Sequence, residues 1–107
     1  MSMQDIYDWI DANADECVRD LQRLVQQPSI SAQGVGLREC AALVREMMHD
    51  DGLPAEFHEL EEGPPVVFGH LEAKKPAKTI LCYSHYDVQP PDPLDEWTHG
   101  GPWSGEV

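Results

Sequence analysis

His85 and Asp87 have the types and the spacing to hold a metal ion. They sit in the run Ile80-Leu81-Cys82-Tyr83-Ser84-His85-Tyr86-Asp87-Val88-Gln89-Pro90. Imidazole is a common metal ligand, and a ligating imidazole needs a partner on its second nitrogen to fix tautomer and orientation. Strand side chains alternate, so residues two apart share a face. On that rule His85 and Asp87 face one pocket and Tyr86 faces away. Asp87 either supports the imidazole or binds metal directly. The apolar run Ile80 to Tyr83 delivers the pair as a strand, and Pro90-Pro91 ends regular structure just beyond it. In α/β sheets, ligands bind beyond the carboxyl ends of the strands. As a bare pattern His-x-Asp is weak, because a strand-end histidine bonded to a carboxylate also serves structure alone.

The wider segment is more specific. Tyr83-Ser84-His85-Tyr86-Asp87-Val88-Gln89-Pro90-Pro91-Asp92-Pro93-Leu94-Asp95-Glu96-Trp97 resembles the active-site segment of a zinc-dependent metallopeptidase family. That family includes carnosinase, cytosolic nonspecific dipeptidase, glutamate carboxypeptidase and succinyl-diaminopimelate desuccinylase. Upstream, Leu21-Gln22-Arg23-Leu24-Val25-Gln26-Gln27-Pro28-Ser29-Ile30-Ser31 resembles the family's first helix and the turn after it. The resemblance covers nearly the whole chain, and the Tyr-Asp-Val-Gln-Pro-Pro wording is closer to the dipeptidase branch than to the deacylases.

The resemblance implies a two-zinc hydrolase that cleaves peptide or dipeptide bonds with metal-activated water, manganese or cobalt being alternative metals. His85 matches a histidine that binds one metal, and Asp87 matches the catalytic-site aspartate that supports it. The family's bridging aspartate, Glu-Glu pair and late histidine have no counterpart here. Residues 1–107 are therefore expected to be the N-terminal portion of a larger catalytic domain, inactive alone. The expected partner is a small peptide or N-acyl amino acid, with the larger protein a cytoplasmic homodimer. An N-acyl amino acid deacylase of the same family is the alternative within hydrolases. A non-catalytic acidic interaction module is the alternative from another class.

The elements that must position the pair are legible upstream. Ile6, Ile10, Ala14, Cys17, Leu21 and Leu24 follow helical steps, which predicts an amphipathic helix over 3–26 with this stripe facing the core. Ser2 with Asp5 is a capping signal, and Pro28 stops the helix. A Ser/Gly/Pro-rich loop at 28–36 leads to a second helix over about 36–50, with Leu37, Ala41, Val44 and Met48 on its apolar face and Gly52 at its end. Alternating Leu53, Ala55 and Phe57 predict a strand, Glu61 to Pro65 a turn, and Val66 to Glu72 a returning strand. Lys74-Lys75-Pro76 is read as the next turn. Thr79 to Ser84 is nearly all apolar, as expected of a central strand covered on both faces. The fold class is α/β: two helices followed by three strands of a larger mixed sheet.

Composition narrows the partners. The chain has 107 residues, room for one small domain. Its 20 acidic residues against 7 basic ones give a formal charge of −13, which argues against nucleic acid and anionic membrane as partners. Cys17, Cys40 and Cys82 form no C-x-x-C pair and are expected as buried thiols in a reducing compartment, Cys82 within the core strand. No basic n-region precedes an apolar stretch, and no apolar run approaches the length of a membrane helix.

The remaining chemistry-bearing residues have bland roles in this reading. His99 is a solvated loop residue, and His49, His58 and His70 lie at the surface. Trp97 and Trp103 are expected to be buried under the loop, a specificity pocket being the other option. Glu61 and Glu62 are a solvated turn and not the family's Glu-Glu pair, which follows the His-x-Asp segment.

Overall fold

The computed structural model describes residues 1–75 and 77–107. Pro76, the last residue of the expected Lys74-Lys75-Pro76 turn, lies outside them. The described elements are α1 (Met3–Val25), α2 (Leu37–Asp50), β1 (Ala55–His58) and β2 (Val66–Gly69), with 3-10 turns at Ser31–Gln33 and Leu94–Glu96.

The start of α1 follows from its first residues. The Asp5 amide donates to Ser2 Oγ at 3.2 Å and the Ser2 amide donates to Asp5 Oδ2 at 2.6 Å, a reciprocal capping box. The helix ends one turn before Pro28. Its apolar stripe is largely uncovered: Ile6, Ile10 and Leu21 are all exposed, and no residue of α1 is buried. The expectation of a core-facing stripe is thus corrected. α1 is amphipathic, and near its C-terminal end Arg23 ties it to α2 by bonding Glu46 at 2.6 Å.

α2 begins at Gly36, whose φ of +69° is left-handed. A Cβ at this position would sit 2.0 Å from the Pro28 carbonyl oxygen, so the chain closes here only without a side chain. The far end of α2 is a Schellman closure around Gly52 (φ +78°). The Gly52 amide donates to the His49 carbonyl and the Leu53 amide to the Met48 carbonyl.

β1 and β2 pair antiparallel with Ala55 opposite Gly69 and His58 opposite Val66, giving the expected hairpin. β2 stops at Gly69 and does not reach Glu72. Inward positions of both strands rest on α2, where Arg45 lies 4.0 Å above the Phe57 ring. The α/β class therefore holds, with α2 packed against the hairpin.

The third expected strand is not laddered. Residues 78–86 form no strand pairing, and Ile80 and Leu81 are more than four-fifths exposed. An extended segment becomes a strand only when a neighbour takes its backbone groups, and among the described residues none lies beside it. Cys82 is consequently exposed instead of packed in a core, as is Cys17; only Cys40 is buried.

The core is small. Ser29, Ile30, Cys40, Ala41 and Pro65 are buried, and together they bring the loop after α1, the N-terminal half of α2 and the start of β2 to one point. The radius of gyration, 16.6 Å, exceeds the roughly 13 Å of a compact domain of this size, in keeping with an α1 that buries no residue and an exposed 78–85 segment. No helix among the described residues is long and apolar enough to cross a membrane.

Candidate functional site

The segment carrying His85 and Asp87 is fixed at its C-terminal end. The Val88 amide donates to the Ser29 carbonyl at 2.9 Å, and the Ser31 amide donates to the Val88 carbonyl at 3.3 Å, forming an isolated parallel bridge between Ile30 and Val88. The loop that follows α1 thereby supports the candidate site.

Alternation acts as the sequence requires. Tyr86 turns inward: its hydroxyl donates to the Pro65 carbonyl at 2.6 Å, and its own carbonyl lies 3.5 Å from Cys40 Sγ. Burial pushes the Tyr86 hydroxyl and the Cys40 thiol above their ordinary ranges, so both stay protonated near neutrality. His85 and Asp87 turn the other way and meet, His85 Nδ1 lying 2.8 Å from Asp87 Oδ1.

The protons can be placed. The hydrogen bond from His85, and then that from Ser31, hold the Asp87 carboxyl below the usual carboxylate range. An ionised carboxylate only accepts hydrogen bonds, so Nδ1 carries the proton in this pair. In the neutral imidazole Nε2 is then the lone-pair nitrogen, and the Tyr83 hydroxyl, 3.0 Å away, is placed to donate to it. The two rings meet edge to face with centroids 5.4 Å apart. Sequence reasoning gave Tyr83 no role, although the signal was present: Tyr83, His85 and Asp87 are spaced i, i+2, i+4 on one face.

A cleft of about 420 Å³ opens beside the pair. His85 and Asp87 lie along it with Leu24 of α1, Pro91, Trp97 and Trp103. Trp97 is half exposed and bonds the Pro91 carbonyl through Nε1 at 2.6 Å, which corrects its expected burial; Trp103 is half-buried. The C-terminal loop is tied to α1 by Gln22, which bonds the Gly105 carbonyl, and by Gln26, which bonds that of Ser104.

The other candidates lie elsewhere. His99 is exposed at φ +55°, His49 bonds the Ala55 carbonyl, and His58 pairs with Glu56. His70, Glu61 and Glu62 are exposed.

The donors suit one metal ligand with its orienting carboxylate. A proton held on Nδ1 by a carboxylate leaves Nε2 aimed outward, the arrangement a metal-binding histidine requires. A protein zinc site needs three or four ligands. Among the described residues no group of three His, Cys, Asp or Glu side chains converges. His85 and Asp87 therefore fit as part of a donor set, not as the whole of one.

No family model matches the chain. It is 35% identical over 111 aligned positions to the Cys-Gly metallodipeptidase of Schizosaccharomyces pombe, covering 92% of this chain and 23% of that protein. Its fold is similar to the crystal structure of a M20 family metallo-carboxypeptidase from Sulfolobus solfataricus. That likeness has a TM-score of 0.74 and 38% identity, over 81% of this chain and 20% of the other. The chain thus spans less than a quarter of the length of either relative.

Proposed function

We propose that this chain, which belongs to the M20 metallopeptidase family, contributes one metal ligand and its orienting carboxylate to a hydrolase of small peptides. The observation that carries this reading is the His85–Asp87 pair, with its carboxylate on Nδ1 and its lone pair on Nε2, opening onto a cleft.

His85 would hold the metal through Nε2, and Asp87 would keep the ring in the ligating tautomer. Zinc, two ions per complete site, is the metal we assign, with manganese and cobalt as substitutes. When bound, such ions supply Lewis-acid polarisation of a carbonyl and a lowered water pKa. The chain's own residues do the rest. Tyr86 anchors the segment through Pro65, and the Ile30–Val88 bridge ties its C-terminal end to the loop after α1. Leu24, Trp97 and Trp103 give the cleft beside the pair an apolar wall.

Dipeptides are the substrate class we favour, supported by the dipeptidase relative and by the Tyr86 to Pro91 wording. We place the protein in the cytoplasm as a homodimer in its complete form, without nucleic-acid or membrane partners. Because the ligand set present is partial, residues 1–107 alone should hydrolyse nothing. The test is a substrate panel with added zinc, run on the protein expressed from its complete natural reading frame. Hydrolysis of dipeptides over N-acyl amino acids supports the reading. The reverse order makes the protein a deacylase, and activity with neither removes the hydrolase assignment.

A further inference from the structure

We propose that Tyr83 caps His85: its hydroxyl holds the Nε2 lone pair, and a divalent cation reaches that nitrogen only by displacing it. This rests on His85 being a metal ligand.

Nδ1 is committed to Asp87 at 2.8 Å, so Nε2 is the one ring nitrogen left to ligate. The Tyr83 hydroxyl already occupies it at 3.0 Å, with an edge-to-face ring contact as a second point of attachment. One lone pair serves one partner at a time. Tyr83 is free to leave, because the residue is 80% exposed and its segment is in no ladder. The cap would keep the imidazole ordered and turned toward the cleft until a cation arrives. It also lowers the apparent affinity, since the hydrogen bond must be broken first. Tyr83 is thus a positioning residue that acts through His85.

The experiment is a zinc titration followed by NMR of the histidine nitrogens and tyrosine rings, on chelator-treated wild type, Tyr83→Phe and His85→Ala, each expressed from the complete natural reading frame. The exposed position of Tyr83 leaves the fold of Tyr83→Phe intact. Before zinc, the His85 Nε2 resonance should differ between wild type and Tyr83→Phe, as a lost hydrogen bond requires. During titration, the Tyr83 ring and His85 resonances of the wild type should move together with one midpoint. Tyr83→Phe should bind about 2- to 10-fold more tightly, the range of one net hydrogen bond. Equal or weaker binding by Tyr83→Phe overturns the cap and leaves the metal role of His85 standing. If zinc moves the His85 resonances in neither protein, the metal role itself falls and the competition with it.

Discussion

The Tyr86 hydroxyl donates to the Pro65 carbonyl 2.6 Å away, and this bond determines which way the residues on either side of Tyr86 face. Pro65 is among the most buried residues of the chain. Anchoring Tyr86 there turns His85 and Asp87 outward together. A residue without chemistry of its own thereby orients the two that have it.

Removing that anchor gives the first prediction. Tyr86→Phe keeps the ring and leaves a buried carbonyl without its donor, at a cost of about 1–3 kcal/mol. The urea midpoint should fall, and the His85 and Asp87 resonances should broaden as the segment loses its anchor. An unchanged midpoint would show that the bond contributes nothing to the fold.

Asp87→Asn tests the support of the imidazole. The amide can offer a donor to Nδ1 as readily as an acceptor, so the ligating tautomer is no longer enforced. Loss of such a supporting partner typically weakens metal binding by about 10–100-fold. Zinc competition against a coloured chelator, on the protein from its complete reading frame, would measure this. Unaltered affinity would remove Asp87 from the site.

The two glycines of the loop before α2 should respond differently to alanine. Gly36 has φ +69° and a carbonyl 2.0 Å from any added Cβ, whereas Gly34 has φ +64° and open space. Gly34→Ala should cost about 1–2 kcal/mol, the left-handed penalty alone. Gly36→Ala should cost clearly more and loosen the packing of α2 on Pro28. Denaturant midpoints of the two variants, side by side, check the order.

The capping box of α1 makes helix content depend on pH. Hydrogen bonds from the Ser2 backbone, and then from its side chain, hold the Asp5 carboxyl below its ordinary value. A carboxyl depressed in the folded state contributes stability above its unfolded pKa and loses it as pH falls through the folded one. The far-UV helix signal should therefore decline in acid through and below the ordinary aspartate range. In Asp5→Asn that part of the decline should be missing. Superimposable acid titrations of the two proteins would contradict it.

The sequence showed elements more clearly than their surroundings. The Ser2–Asp5 cap, the helical spacing of Ile6 to Leu24 and the alternation around Phe57 are local patterns, and each matches an element of the structure. The alternation around Tyr86 was legible for the same reason, since a two-residue period follows from backbone geometry. Periodicity reports which face is apolar, not whether anything covers it. Ile6, Ile10 and Leu21 are correctly placed on one stripe of α1, yet they are exposed. Ile80 and Leu81 read as a covered central strand, but pairing requires a neighbouring strand that composition cannot reveal. The Tyr83 contact with His85 is less legible, because tyrosine is not a common metal-ligating type and Tyr83 reads as the end of an apolar run.

The central claim is that His85 binds the metal of a hydrolase. Zinc content and dipeptidase activity of the protein expressed from its complete natural reading frame, wild type against His85→Ala, test it most directly. His85→Ala should lose bound zinc and activity should fall with it, while the far-UV spectrum stays that of the wild type. Wild-type zinc stoichiometry retained in His85→Ala would contradict it.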